Sequence, residues 1–381
     1  MGWGMKLPVY VDYNATTPIA PEVIAAIRPW LDDHFGNPSS SHALGQFARE
    51  AMMQAREDVA ALLGAHREEI VFTGSATEAN NLAVLGVSKA LPRKRHVIIS
   101  AVEHPAVMQP AMRLREWGWK VTIVPVDDMG RVAVSDVAAA LRPDTSLVSI
   151  MHANNEVGTL QPVAEIARLA RAQGILVHTD AAQSVGKLDV NVADLGVDLL
   201  TMAGHKFYAP KGVGALYVRR GTPVAPLLVG REQERGLRPG TENVAFVAAL
   251  GAACRLVRQR LPEASGHLLA LRNRLHQALV AAVPALALNG HPEHRLPNTL
   301  HVSFPGVSGD ELLQRASYAV AASVGSACHS GAGHVSGVLA AMGFDDARAR
   351  GAVRLSVGWP TTEADIDRVA EALIQEWTSL S

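Results

Sequence analysis

Cysteine is scarce in this chain, which has only Cys254 and Cys328 among its 381 residues. Two cysteines cannot build a disulfide framework, and their scarcity is typical of a reducing, cytoplasmic compartment. Cys254 lies in ALGAACRLV, an apolar helical pattern that predicts a buried packing residue. Cys328 lies in SVGSACHSGAGH, where small residues predict a loop, and His329 follows it. Cys328 is therefore either a nucleophile or an unreactive residue in a poorly packed connection.

Long apolar runs and runs of like charge are also missing. No apolar stretch approaches the roughly 20 residues that span a bilayer, and MGWGMKLPVYVDYN at the start lacks the basic-then-apolar pattern of a secretory signal. The formal net charge is −1, which gives no electrostatic reason to bind nucleic acid or an anionic membrane. We therefore expect a soluble, cytoplasmic protein.

Short apolar segments alternate with amphipathic helical patterns through most of the chain. The predicted strands are EIVFTG, HVIIS, KVTIVPV, SLVSIMHAN, ILVHTD, VDLLTMAG and GALYVRR. The predicted helices are EVIAAIRPWL, HALGQFAREAMMQAREDVAALLG, VSDVAAALR and VAEIARLARAQG. This alternation predicts an α/β fold with a doubly wound, mostly parallel sheet covered by helices on both faces.

The last third of the chain has a different pattern. A helical run from about Asn243 meets LPEASG, which predicts a break, and is followed by a long helix, the strands NTLHVSF and AVRLSV, and a final helix from Glu363. We predict a second, smaller α+β domain with its boundary near residues 255–265. The large domain is placed at 18–258, and the small domain at 1–17 and 259–381.

Asp180 and Lys206 are the most informative pair. Asp180 closes the buried segment ILVHTD, and Lys206 follows the next one, in MAGHKFYAPKG. Pyridoxal phosphate (PLP) needs a lysine amine to form a Schiff base and a carboxylate to keep its pyridine nitrogen protonated. A turn aspartate and a surface lysine explain either residue alone. Together, with Gln183 and His205 beside them, the two predict a PLP site.

Other polar residues fall at further predicted strand ends, where open α/β sheets bind ligands. FTGSATEANN joins a strand to a helix, so Ser75, Ala76 and Thr77 predict a phosphate site, although Ser75 with Glu78 also fits a capping box. His104 in EHPAV is either a ring-stacking proton carrier or a hydrogen-bonded loop residue.

Three more polar features stand out, and two of them leave alternatives open. Asn154 and Asn155 in MHANNEVG either begin a turn or bind an adduct of substrate and cofactor. The polar, glycine-rich segment REQERGLRPGTEN is typical of a solvated loop. Arg354 lies in the apolar strand AVRLSV, where it requires a partner: a substrate carboxylate, bound bidentately, or a nearby Asp or Glu.

These residues together resemble one family. The chain is similar to the class V aminotransferases, PLP enzymes of fold type I, and specifically to the branch of cysteine desulfurases and selenocysteine lyases. The strings that carry the resemblance include VYVDYNATTP, GNPSS, FTGSATEANN, EHPAV, NNEVGTLQP, HTDAAQSVGK, GHKFYAPKGVGALYVRR, RPGTEN, LPNTLHVSF, SVGSACHS and VRLSVGWPTTEADID. They extend from near the start of the chain to near its end.

The resemblance implies roles in holding the cofactor. Lys206 would carry PLP and later act as base at Cα, and Asp180 would hold the pyridine nitrogen. His104 would stack on the ring and transfer protons, and Gln183 would bind the phenolic oxygen. The phosphate would be held by Ser75, Ala76, Thr77 and His205. Thr241 would reach the phosphate from a partner subunit, which implies a homodimer.

The resemblance also implies a reaction. Arg354 and Asn155 would hold the carboxylate of L-cysteine, and Cys328 would take its sulfur as a persulfide, releasing L-alanine. The sulfur would then pass to an acceptor protein that the sequence does not identify. Ala203 departs from the family, which commonly has a phosphate-binding serine there, so we expect weaker PLP retention than in a serine-bearing relative.

Three alternatives remain at this point. A selenocysteine lyase would use the same site, although Pro105 after His104 favours a desulfurase. A zinc-dependent hydrolase would draw ligands from the residues His104, His152, His178, Asp180 and His205, although H-E-x-x-H and paired-cysteine spacings are absent and we expect no metal. A sulfur carrier or scaffold would use Cys328 alone.

Overall fold

The computed structural model describes residues 7–325 and 336–381. Within them the strands are β1 (Val9–Tyr10), β2 (Ile70–Thr73), β3 (His96–Ser100), β4 (Lys120–Val124), β5 (Thr145–Ser149), β6 (Leu176–Asp180), β7 (Leu199–Ala203), β8 (Gly214–Val218), β9 (Ala287–Leu288), β10 (Thr299–Ser303), β11 (Val320–Ala321) and β12 (Ala352–Ser356). The helices are α1 (Pro21–Asp32), α2 (Ala43–Leu63), α3 (Ala76–Ala90), α4 (Pro105–Glu116), α5 (Val134–Ala140), α6 (Val163–Arg171), α7 (Val192–Leu195), α8 (Val244–Ala282), α9 (Gly309–Arg315), α10 (Gly337–Ala341), α11 (Asp346–Arg350) and α12 (Glu363–Leu380).

A seven-stranded sheet forms the centre of the molecule, in the order β2-β8-β7-β6-β5-β3-β4. Each of the seven predicted apolar segments contributes one of its strands, so the predicted α/β class is confirmed. All pairs are parallel except those of β8, which runs antiparallel to β2 and β7. The short connection from β7 to β8 explains the exception, because parallel neighbours need a long crossover and antiparallel ones do not.

Helices cover both faces of this sheet. Alternate residues of one strand enter different cores: Ile70 and Phe72 pack in one cluster with α1, α2 and α8, whereas Val71 packs in another with α3 and α4. This is the period of two that a pleated strand imposes. Burial on both faces explains why β2, β3 and β5 are buried along their whole length.

A second core is built mainly from the end of the chain. The antiparallel sheet β12-β10-β9 and the helices α9 and α12 pack there with the second half of α8. The start of the chain joins them, since β1 pairs with β11 and both Val9 and Val11 lie in this cluster. The predicted strands NTLHVSF and AVRLSV and the final helix are confirmed. The domain boundary near 255–265 stays a prediction.

The predicted break at LPEASG is wrong. Helix α8 continues through Pro262 and Gly266 and spans 39 residues. A proline inside a helix removes one backbone hydrogen bond. Here it lies on an exposed stretch, where water can satisfy the free carbonyl. The apolar residues on either side, such as Val257 and Leu268, are buried and hold the two halves in one helix.

Candidate active site

A cavity of about 520 Å³ lies where the carboxyl ends of the parallel strands meet. Segments that follow β2, β3, β5, β6 and β7 contribute to its wall, as expected for a ligand site in an open α/β sheet. The predicted site residues in the wall are Ser75, Ala76, Thr77, His104, Asn155, Asp180, Gln183, His205, Lys206 and Arg354. Thr241 is exposed and does not line the cavity, and Cys328 lies outside the described residues.

Asp180 ends β6 as a buried carboxylate, 6% exposed, that is held on both oxygens. The Asn80 side chain donates to Oδ2 at 2.6 Å, and the backbone N–H of Ala182 donates to Oδ1 at 2.9 Å. These donors come from α3 and from the turn after β6, so the carboxylate orientation depends on two elements. The result is a fixed anionic acceptor in the cavity wall.

Lys206 follows β7, at the end of a short 3-10 helix, Gly204–Lys206. Its Nζ donates to the carbonyl oxygens of Asn14 and Ala15, at 2.7 and 2.8 Å. The segment that carries these carbonyls comes from the start of the chain, which packs with the second core. The lysine amine is therefore positioned jointly by the large sheet and the N-terminal segment.

His104 caps the N-terminus of α4, where its Nδ1 accepts from the backbone N–H of Ala106 at 3.1 Å. Burial lowers the pKa of His104, with the Asp180 carboxylate opposing this shift and Lys206 adding to it. The ring is therefore neutral near pH 7, and because Nδ1 accepts, the proton lies on Nε2. His104 satisfies both sequence interpretations, since it is a hydrogen-bonded capping residue and also lines the cavity.

The N-terminus of α3 supplies backbone N–H groups to the cavity through Ser75, Ala76 and Thr77. The Ser75 hydroxyl accepts from Glu78 N at 3.1 Å, as a helix cap should. The return bond differs from the predicted capping box, because the Glu78 carboxylate accepts from Gly74 N, not from Ser75 N. The helix dipole and the backbone N–H groups at this N-terminus favour an anion there.

His205 stands next to the lysine and is predicted to contact the same anion. Burial lowers its pKa to about 4, and the nearby amines of Lys206, Lys211 and Lys187 add to the shift. The ring is consequently neutral near pH 7. Its Nδ1 lies 3.2 Å from the Thr16 hydroxyl.

Arg354 has the second of the two partners that the sequence left open, a nearby acidic residue. Its Nη2 binds the Asp12 carboxylate at 2.7 Å, its Nη1 donates to the Asn155 carbonyl at 2.9 Å, and only 3% of it is exposed. Arg354 nevertheless lines the cavity, and its Nε has no hydrogen-bond partner in the part of the chain described. Asn154 instead holds the turn, since its side-chain oxygen accepts from Glu156 N and Val157 N.

Comparison with known proteins shows the family to which the chain belongs. The sequence model of the family "Aminotransferase class-V" matches residues 9–369. A protein of Trichormus variabilis named "Cysteine desulfurase 2" is 45% identical over 366 residues, which is 96% of this chain and 92% of that protein. The chain belongs to the class-V aminotransferase family, in the cysteine desulfurase branch. The predicted resemblance is confirmed.

Solved structures of class-V relatives have the same fold. A structure titled "NIFS-LIKE PROTEIN" superimposes with a TM-score of 0.92 at 38% identity, covering 98% of this chain and all of the other. A second, "SspA in complex with cysteine", superimposes with a TM-score of 0.81 at 38% identity, covering 91% of this chain and 98% of the other.

Three of the candidate zinc ligands, His104, Asp180 and His205, line the same cavity. Within residues 7–325 and 336–381, no group of three or more His, Cys, Asp or Glu side chains is arranged to hold a metal ion. His178 is fully buried in β6 and contacts the hydroxyls of Ser149 and Thr201. In the same residues, no helix combines the length and apolar character that crossing a membrane requires.

Several groups in and behind the cavity wall were missed from sequence. Asn80 holds Asp180, Asn14 holds Lys206, and Lys187 lies behind Gln183. Glu103 lines the cavity as a fully buried carboxyl whose Oε1 accepts from Ser100 Oγ and Met151 N; burial, and then the Asp180 charge, raise its pKa to about 8. The available signal was a polar residue inside an otherwise apolar pattern, as with Asn80 in α3.

Proposed function

We propose that this chain is a PLP-dependent cysteine desulfurase that converts L-cysteine to L-alanine and transfers the sulfur to Cys328. The observation that carries the proposal is the single cavity that contains both the Lys206 amine and the buried Asp180 carboxylate at neighbouring strand ends. Membership of the cysteine desulfurase branch supports the reaction. A relative whose structure is titled as a complex with cysteine supports the substrate.

The residues present fit PLP. The cavity volume lies in the range of small-molecule sites, the amides at the start of α3 suit a phosphate, and the carboxylate of Asp180 suits a protonated ring nitrogen. His104 supplies a flat, neutral ring at the same wall. When bound, PLP supplies an aldehyde that reacts with amines and a ring that accepts electrons from the substrate carbon.

The protein groups then have separate tasks. Arg354, with its Nε directed to no described partner, and Asn155 bind the substrate carboxylate. The Lys206 amine takes the Cα proton, and His104 holds or returns a proton through Nε2. Cys328 acts as a thiolate: its Sγ bonds to the substrate sulfur as the substrate Cβ–S bond breaks. The electron pair stays with the carbon fragment, which is protonated to alanine, and Cys328 is left as a persulfide.

A homodimer completes the proposal, with Thr241 reaching the phosphate of the partner subunit. Large apolar side chains are exposed on and beside α1 and α2, including Leu31, Phe35 and Phe47, and in the segment before Thr241, where Val229 is 97% exposed. Such exposed apolar surface is typical of an interface between protein chains. We further propose a cytoplasmic location, because Cys254 is unpaired and buried. Membership of the cysteine desulfurase branch supports a protein acceptor for the persulfide sulfur.

Comparison of two substrates tests this function. Alanine release by the PLP-loaded protein is measured with L-cysteine and with L-selenocysteine, alongside the Lys206→Ala variant. Turnover of L-cysteine by the wild type, with loss of at least about a hundredfold in the variant, is expected. Turnover of L-selenocysteine alone would replace the proposal with a lyase, and no turnover of either would overturn it.

A further inference from the structure

A second lysine lies behind the cavity wall. Lys187 is 5% exposed and lies four positions after Gln183 in the sequence. Its Nζ donates at 2.8 Å both to Asn14 Oδ1 and to Gln183 Oε1. Lys187 does not line the cavity, whereas Gln183 and Asn14 both do. Burying an amine on two neutral amide oxygens is costly, so the arrangement needs an explanation.

The contacts fix which way the Gln183 amide faces. Lys187 Nζ donates to Gln183 Oε1, so the Gln183 oxygen faces Lys187 and the amide nitrogen faces away from it. The nitrogen donates one N–H to the Asn14 carbonyl at 3.0 Å, which fixes the same orientation independently. Because Gln183 lines the cavity, the second N–H is available to a bound ligand.

Asn14 connects Lys187 to the reactive lysine. The Asn14 carbonyl accepts from Lys206 Nζ as well as from Gln183. Its side-chain oxygen accepts from Lys187 and Asn298, and its side-chain nitrogen donates to Thr299. A movement of Asn14 would therefore move an acceptor of the Lys206 amine.

We propose that Lys187 is a positioning residue that holds Gln183 with an N–H donor toward the cavity and Asn14 with its carbonyl against Lys206. This inference rests on the proposed PLP site. When PLP is bound, an N–H donor at its phenolic oxygen would withdraw electron density from that oxygen and would lower the pH at which the bound cofactor loses a proton. Lys187 thus sets, through Gln183, the pH at which the bound cofactor changes its absorbance.

Other groups also contribute to that pH. Burial, Lys206 and Arg354 lower the pKa of Lys187 itself well below its usual range. The titratable and charged groups in the cavity wall are Glu103, His104, Glu156, Asp180, His205, Lys206 and Arg354. The charges of Lys187 and Lys211 lie close enough to affect the pKa of His205. A variant of Lys187 therefore has to be compared in two backgrounds, so that a direct charge effect can be separated from positioning of Gln183.

The test is a spectroscopic pH titration of PLP bound to Lys187→Met, with the exposed Lys120→Met as control. We expect the absorbance transition of Lys187→Met to rise by about one pH unit, the size expected when one hydrogen bond to a charged group is lost. Lys120→Met should titrate like the wild type. Lys187→Arg keeps the N–H donors, so its absorbance transition should return at least halfway from the Lys187→Met value to the wild-type value.

The pH titration is then repeated with Gln183→Ala and with the double variant Gln183→Ala, Lys187→Met. Positioning predicts that Lys187→Met adds almost no shift there, since the donor is already gone. An undiminished shift in that background would overturn the proposal in favour of a direct charge effect, and an unshifted Lys187→Met would overturn it outright. If Lys187→Met fails to fold, Lys187→Arg alone decides the question. Complete loss of the wild-type absorbance transition in Lys187→Arg would then contradict the proposal. Wild type that binds no PLP would refute the proposed function instead.

Discussion

Glu103 is a buried carboxyl group in the cavity wall whose proton affinity depends on its surroundings. Its pKa is raised to about 8, first by burial and also by the Asp180 charge, while the bonds from Ser100 and Met151 oppose the shift. Between its usual pKa and about pH 8 the folded chain therefore binds more protons than the unfolded chain. This group lowers the free energy of unfolding as pH rises through that window.

Glu103→Gln removes this pH dependence, because the amide has no proton to lose. From about pH 5 to about pH 9 the variant should gain stability relative to the wild type, by roughly 4 kcal/mol at most. Thermal unfolding midpoints across this range measure the difference, and the exposed Glu371→Gln is the control. Parallel curves for Glu103→Gln and wild type would show that Glu103 is ionised in the folded protein.

Ala203 ends β7, lines the cavity and has no hydroxyl with which to bind a phosphate. Ala203→Ser should tighten PLP binding by about fivefold, the effect of one added hydrogen bond. Titration of the apoprotein with PLP measures this, and Ala278→Ser, outside the cavity wall, is the control. Equal affinities for Ala203→Ser and wild type would mean that the phosphate does not approach Ala203.

The polar and charged site residues at strand ends could be predicted from the sequence, because they stand out from the apolar residues before them. Asp180 and Lys206 were found in this way. Asn14 and Lys187 were not, because their partners are distant in sequence and an amide or lysine alone has many explanations. Thr241 lies away from the cavity of its own chain, so its role in a partner's site stays a prediction.

At the scale of elements, short apolar segments between polar turns were enough to locate the seven central strands. The break at LPEASG was predicted wrongly because local propensity was outweighed by burial on both sides of Pro262. The two-residue strands β1 and β11 were missed, since their pairing links opposite ends of the chain. Tertiary context decides such elements.

The continuity of α8 can be tested by replacing the proline and the glycine in its middle with alanine. Pro262→Ala adds the missing hydrogen bond and should raise the free energy of unfolding by about 1 to 3 kcal/mol. Gly266→Ala, where a new Cβ meets no atom within 4 Å, should add about 1 kcal/mol. Denaturant unfolding monitored by circular dichroism measures both. Destabilisation by Pro262→Ala would indicate that the helix is broken in solution.

At the scale of the whole molecule, the cavity depends on segments from both ends of the chain. The N-terminal segment supplies the carbonyls that hold Lys206, and β12 supplies Arg354. The resemblance predicted this site composition, because its motifs extend along the chain. The exposed apolar side chains beside α1 and α2 and before Thr241 support the proposed dimer.

Val229→Asp places a charge in that surface and should convert a dimer to a monomer, because a buried unpaired carboxylate is costly. PLP affinity should fall by about fivefold or more as the Thr241 contact is lost. Light scattering after gel filtration gives the mass, and Tyr318→Asp, at an 84% exposed side chain elsewhere, is the control. A dimer that survives Val229→Asp with unchanged PLP affinity would contradict this interface.

Alanine release from L-cysteine by the PLP-loaded wild type, Cys328→Ala and Cys254→Ala is the most direct measurement. Cys254 is fully buried in α8, and burial raises the pKa of its thiol far above neutrality, so it cannot supply a thiolate. We predict turnover by the wild type and Cys254→Ala, and a loss of at least about a hundredfold in Cys328→Ala. Full activity of Cys328→Ala would contradict the persulfide mechanism, and an inactive wild type would contradict the assignment as a cysteine desulfurase.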